Sequence, residues 1–161
     1  MNELSLENYR TFSKLSPPLR SEDDRKEIIK GLFDGTIDAI VSDHTPQDQD
    51  AKRIPFSQAE FGGIGLETLL PMTLSLVKNE KLDLIKAISL ITKNPSDILG
   101  LNSGKIEKGC EADLAIFNLE KPWKIRPENF FSKSKNSPFH GILVEGLNLI
   151  TFVRGKLVFK F

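Results

Sequence analysis

Thr36-Ile37-Asp38-Ala39-Ile40-Val41-Ser42-Asp43-His44-Thr45-Pro46 begins as a short apolar run with β-branched residues, bounded by Gly35 ahead and Pro46 behind. Its length and composition predict a buried β-strand over Thr36–Ser42, with Asp43 at the carboxyl end. Just upstream, Ser21-Glu22-Asp23-Asp24 predicts a helix start: Ser21 as N-cap, Asp24 three residues on, and three acids facing the positive end of the dipole. That helix continues through Ile28, Ile29 and Leu32 and should stop near Asp34-Gly35. Helix, tight turn and buried strand in succession indicate an α/β fold.

Downstream of Pro46, residues 46–63 are polar and contain Pro46, Pro55, Gly62 and Gly63, which predicts a long loop of the kind that often carries function. A helix follows from about Gly65 to Lys78, with Leu66, Leu69, Leu70, Leu74 and Val77 on one face. Another spans Leu84 to Thr92, ended by Asn94-Pro95, with a last short turn from Ser96 to Leu99. From Lys105 the pattern changes to alternating or short apolar runs: Asp113–Phe117, Gly141–Val144, Leu149–Val153 and Gly155–Phe159. Arg154-Gly155-Lys156 suggests a hairpin, and residues 105–161 read as a small antiparallel β-unit. A lone buried parallel strand has no sheet to belong to, and a barrel of eight βα units needs about 250 residues. The expectation is therefore that these residues are the end of something larger, with Met1 either an internal start or a chosen boundary.

Composition narrows the function. The chain has 161 residues, with 22 basic and 22 acidic side chains, so its formal net charge is zero. No charge block stands out, which removes the electrostatic case for nucleic acid or an anionic membrane surface. No apolar run approaches the ~20 residues needed to span a bilayer. With a single cysteine, Cys110, the chain has no internal disulfide, and a cytoplasmic protein is expected. Its two histidines, His44 and His140, lie far apart, and no H-x-H, H-E-x-x-H or C-x-x-C pair occurs. Such a chain does not assemble a zinc site of three or four protein ligands from those motifs. If the chemistry needs a metal, most ligands lie elsewhere.

Asp43 is the residue best placed for chemistry. At the carboxyl end of a parallel strand, an aspartate can take a proton from an attacking water and hand it to a leaving nitrogen. The alternative from spacing alone is an Asx-type turn cap, with Pro46 helping to end the strand. His44, on the opposite face from Asp43, reads as a packing or hydrogen-bonding residue, and His140 as structural. Cys110 reads as a small turn or core residue. Arg20 either contacts the mouth of the fold or pairs with Glu22 or Asp23, the latter being favoured. Lys52-Arg53 reads as a solvated loop pair, or as a cationic lid over an anionic ring.

Several motifs resemble the dihydroorotases, a branch of the cyclic amidohydrolases. Ser42-Asp43-His44-Thr45-Pro46 followed by Phe61-Gly62-Gly63-Ile64-Gly65-Leu66-Glu67-Thr68 is similar to that family's last barrel strand and loop. Lys14-Leu15-Ser16-Pro17-Pro18-Leu19-Arg20 resembles the preceding barrel-strand motif. Gly104-Lys105-Ile106 to Asp113-Leu114-Ala115-Ile116-Phe117, then Ser134-Lys135-Asn136-Ser137-Pro138-Phe139, is similar to its tail. The resemblance implies the C-terminal portion of a TIM-type (β/α)8 metal-dependent hydrolase: the last βα units over residues 1–104 and part of a composite β-sandwich over 105–161.

It also implies zinc-dependent interconversion of dihydroorotate and N-carbamoyl-aspartate in pyrimidine synthesis, with one or two zinc ions in a complete enzyme. Asp43 would be the general acid/base and also contact the metal site. Phe61 and Gly62 would offer backbone groups to the ring. Ser16 stands where many relatives have an asparagine that holds substrate, and Gln47 where many have a histidine; both can hydrogen-bond, and neither supplies a cation. Those departures leave the alternative of a noncatalytic dihydroorotase-like subunit partnering aspartate transcarbamoylase, and Ser-Asp-His followed by a small residue and proline also suits an allantoinase- or hydantoinase-type hydrolase. Expected partners are the small-molecule substrate and either further copies of the chain or aspartate transcarbamoylase. On its own the 161-residue chain is expected to be inactive and weakly folded.

Overall fold

The computed structural model describes residues 1–161, which form two compact units interleaved along the chain. One comprises Met1–Ile37, Ser42–Leu69 and Ile125–Ile142; the other comprises Asp38–Val41, Leu70–Lys124 and Leu143–Phe161. No helix is long and apolar enough to cross a membrane.

The first unit opens with short 3-10 turns, Glu3–Tyr9 and Thr11–Ser13. Helix α1, Glu22–Asp34, starts as its sequence dictates. The Asp24 N–H donates to Ser21 Oγ at 3.2 Å, and the Ser21 N–H donates to the Asp24 carboxylate at 3.1 Å, so two otherwise orphaned donors are satisfied. Gly35 closes the helix in the left-handed conformation, φ 87°, donating to the Gly31 carbonyl. Arg20 pairs with Asp24 at 3.8 Å, not with Glu22 or Asp23. Glu22 is engaged by Arg25 at 2.7 Å and by Asn2 at 2.8 Å, and Asp23 by Lys26 at 3.7 Å. Within the long loop the four-residue helix α2, Gln49–Lys52, is capped by Asp48, whose carboxylate accepts the Asp50 N–H at 2.8 Å. The Lys14–Arg20 stretch adopts no regular element, and its Ser16–Pro17 bond is cis.

The run Thr36–Ser42 is not the expected buried strand: it joins no sheet, and Val41 is 74% exposed. A strand exists through a ladder of backbone bonds to a neighbour. Here the backbone is engaged one group at a time: the Ile40 N–H donates to the Leu90 carbonyl at 2.9 Å, and Asn94 Nδ2 donates to the Asp38 carbonyl at 2.8 Å.

The second unit contains α3, Leu69–Glu80, all but its first residue, then α4, Leu84–Ser89, and α5, Lys93–Ile98. Leu74, Leu82, Ala87 and Leu90 are its apolar core, each at 7% exposure or less. The expected break at Asn94-Pro95 is instead the first turn of α5. Pro95 is its third residue, where a missing N–H costs no intrahelical bond, as with Pro71 in α3. The β-rich tail has the expected antiparallel pairing. Strands β1 (Leu114–Asn118), β4 (Leu147–Val153) and β5 (Lys156–Lys160) form a sheet in the order β1-β4-β5. The last two are joined by the hairpin read at Arg154-Gly155. A separate pair joins β2 (Trp123–Lys124), which sequence reading missed, to β3 (Leu143–Val144). Trp123 Nε1 donates to the Gly146 carbonyl at 3.1 Å.

Candidate active site

Asp43 sits where the extended segment turns, in the left-handed region at φ 41°, an uncommon conformation that aspartate tolerates better than most residues. Its side chain is exposed at the lip of an open cavity of about 210 Å³. Ser16 and Pro17, the backbone of Gly62–Gly65, and Pro138 and Phe139 also line that cavity. Ser16 and Gly62, both singled out in the sequence, therefore converge with Asp43. Gln47 and Phe61 do not line the cavity, and Phe61 is half exposed.

The glycines of Phe61-Gly62-Gly63-Ile64-Gly65 are demanded by close approach. A Cβ at Gly65 would lie 2.5 Å from the Ser42 carbonyl oxygen, and one at Gly62, where φ is 113°, would lie 2.7 Å from the Thr45 side chain. The loop thus lies directly against the segment that carries Asp43. Two further ties hold it there: the Thr45 N–H donates to the Gly63 carbonyl at 2.9 Å, and His44 Nδ1 accepts the Gly65 N–H at 3.1 Å. His44 is the hydrogen-bonding histidine expected, and its accepting Nδ1 puts any ring proton on Nε2. His140 lies exposed in a turn, and Cys110 is a half-buried turn residue.

Gly62 itself has little free hydrogen-bonding capacity. Its N–H donates to the Lys14 carbonyl at 3.0 Å, and its carbonyl accepts from Lys52 Nζ at 3.1 Å and Asn136 Nδ2 at 3.3 Å. The Phe61 carbonyl accepts Gln47 Nε2 at 2.8 Å. Gln47 thereby acts as a brace on the loop, and Asn136 braces it from the far side, its Oδ1 accepting the Gln47 N–H at 3.3 Å and its carbonyl the Ile64 N–H at 3.2 Å.

Lys52 is the largest departure from expectation. It is fully buried, not solvated, and its ammonium donates to three main-chain carbonyls: Glu60 at 2.7 Å, Gly62 at 3.1 Å and Lys14 at 3.2 Å. Burial pushes its pKa down, the nearby Lys14 charge adds to this, and Glu60 opposes it. Asn136 stands in the Ser134–Phe139 motif, yet only its three-dimensional position reveals its bracing role.

No three side chains among His, Cys, Asp and Glu come together to hold a metal ion. Asp43 is a single carboxylate among backbone, proline, serine, aliphatic and phenyl groups, so the residues present do not fit a zinc site.

The amidohydrolase family profile matches residues 6–158. The chain belongs to the amidohydrolase family. Among curated amidohydrolases, it is 48% identical over 160 residues to a dihydroorotase of Anaplasma phagocytophilum, a match covering 99% of this chain and 36% of that protein. It is 42% identical over 160 residues to a dihydroorotase of Ehrlichia chaffeensis, again over 99% of this chain and 36% of the relative. Its fold superimposes on the L-hydantoinase (dihydropyrimidinase) of Arthrobacter aurescens with a TM-score of 0.92 at 31% identity, over 99% of this amidohydrolase chain and 37% of that one. The chain spans about 36% of the length of the curated relatives it matches.

Proposed function

We propose that these residues are the C-terminal portion of a cyclic-amide hydrolase of dihydroorotase type, in which Asp43 moves the proton. The carrying observation is the placement of Asp43 at the lip of a cavity floored by the Gly62–Gly65 backbone. Hydrolysis needs a C–O bond formed by water and a ring C–N bond broken. Asp43 accepts the proton that water gives up and returns it to the departing ring nitrogen, so the carboxylate ends unchanged. The glycines at 62, 63 and 65 let a planar ring approach the backbone closely. The substrate is dihydroorotate, opening to N-carbamoyl-aspartate as a step of pyrimidine synthesis, on the strength of the 48% identity to a dihydroorotase. Any metal requirement is met by ligands outside this chain. Residues 1–104 supply the last barrel units and 105–161 part of a β-sandwich.

A second reading, a hydantoinase-type hydrolase, is favoured by the superposition on the Arthrobacter enzyme. Turnover of dihydroorotate, a hydantoin and allantoin, compared in the complete hydrolase carrying these residues, separates these readings. Asp43→Asn is expected to lower turnover by roughly 10²- to 10⁴-fold while substrate still binds. Undiminished turnover would sink the assignment. No turnover of any ring by the complete protein would favour the noncatalytic subunit partnering aspartate transcarbamoylase.

A further inference from the structure

We propose that Lys52 is a positioning residue, its buried ammonium serving as the cation around which the backbone of the glycine-rich loop is folded beside Asp43. This inference rests on the hydrolytic reading of that site. Lys52 has 0% exposure, and its three hydrogen bonds all go to main-chain carbonyls, those of Lys14, Glu60 and Gly62. An ammonium has three protons, so this set saturates it. A buried lysine is costly, and an apolar side chain would fill the same space more cheaply. What an apolar side chain does not provide is a point charge that draws three carbonyls from different places in the sequence onto one centre.

One of those carbonyls lies in the site and a second adjoins it. Gly62 lines the cavity, and the Lys14 carbonyl that meets Lys52 also accepts the Gly62 N–H at 3.0 Å, just before the lining residues Leu15, Ser16 and Pro17. One residue beyond Gly62, the Gly63 carbonyl holds the Thr45 N–H two residues from Asp43. Lys14 repeats the device on the intervening loop: its Nζ donates to the carbonyls of Phe56, Ser57 and Ala59 and lies 4.6 Å from the Phe61 ring centroid. The segment from Arg53 to Gly62 is thus wound around two ammonium groups, of which Lys52 bonds the cavity-lining Gly62.

The test needs no turnover. In the complete protein that carries these residues, hydrogen exchange is measured on Lys52→Ala with and without n-propylammonium, which replaces the atoms removed. Amides of Gly62, Ile64 and Gly65 are expected to lose about 10- to 100-fold of protection, with α1 and β4 unchanged, and n-propylammonium is expected to restore it. A merely structural lysine would lower protection everywhere, and n-propane-1-ol would then rescue as well as the amine. If Lys52→Ala does not fold, Lys52→Met carries the comparison, and wild-type protection at Gly62–Gly65 in that variant overturns the proposal. In the unaltered chain, ¹⁵N resonances should show Lys52 as a slowly exchanging ammonium at neutral pH; a fast-exchanging one overturns it. Local loosening in an assembly that hydrolyses no cyclic amide would leave this inference standing and remove the proposed function instead.

Discussion

The loop cradle around Asp43 and the β1-β4-β5 sheet hold their backbones by different means. In the sheet, carbonyls and amides meet each other in an antiparallel ladder, from Leu114 against Phe152 to Val153 against Lys156. In the cradle, a few scattered main-chain bonds are joined by side chains that take over much of that work: Lys52, Lys14, Asn136, Gln47 and His44 each bond the main chain, and glycines clear the space. A ladder shares its hold over many equivalent bonds, so any one side chain matters little. A cradle concentrates its hold in a few polar groups, each of which leaves buried backbone unsatisfied when removed. The gain is shape. Irregular backbone can present a cavity floor that a strand cannot.

The sharpest way to break this contrast is Gly65→Ala. The added Cβ would lie 2.5 Å from the Ser42 carbonyl oxygen, a backbone atom on the segment leading to Asp43, so one segment must move. The expected loss is about 3 kcal/mol, read as lost exchange protection at the Thr45 and Ile64 amides. Next comes Asn136→Ala, which removes the acceptor of the Gln47 N–H and one of the two side-chain donors to the Gly62 carbonyl. Because Asn136 has 0% exposure, about 2 kcal/mol is expected by the same measurement. An unchanged cradle in both variants would mean that its shape is held elsewhere.

The same contrast explains what the sequence disclosed. The Ser21–Asp24 capping box and the Gly35 stop were legible because a helix end is decided within four residues. The β-tail was legible because alternation and a Gly turn specify a hairpin locally. Asp43, Ser16 and Gly62 came through as a motif, and the structure places them around one cavity. The strand at Thr36–Ser42 was misread because β-propensity describes a surface that suits a sheet, while a strand needs a neighbour, and none of the other strands pairs with it. Lys52 was misread because its burial depends on carbonyls from Lys14, Glu60 and Gly62, which nothing local announces.

Charge pairs on the surface form a third case, intermediate in effect. The Arg25 guanidinium, and secondarily the Asn2 amide, hold the Glu22 carboxyl down to about 2 from its ordinary 4.5. A depressed carboxylate contributes stability that is present above the unfolded value and lost as pH falls through the folded one. The N-terminal turn of α1 should therefore weaken between about pH 4.5 and about pH 2. Carboxyl NMR titration in Arg25→Ala should return Glu22 toward its ordinary value; an unmoved midpoint would assign the depression to Asn2 or the helix dipole.

The smallest effect belongs to the sheet itself. Leu157 in β5 is 54% exposed, and its backbone pairs with Phe152. Leu157→Thr keeps those backbone bonds, and threonine suits a half-exposed strand position. If the ladder carries the sheet, the urea midpoint should change by less than about 0.5 kcal/mol in free energy. The lone tryptophan, Trp123, lies in the same unit and reports that transition by fluorescence. A loss well above about 1 kcal/mol would mean that Leu157 packs against a surface in solution. The sheet would then depend on particular side chains as the cradle does, and the difference between the two regions would lie in what covers them, not in how their backbones are bonded.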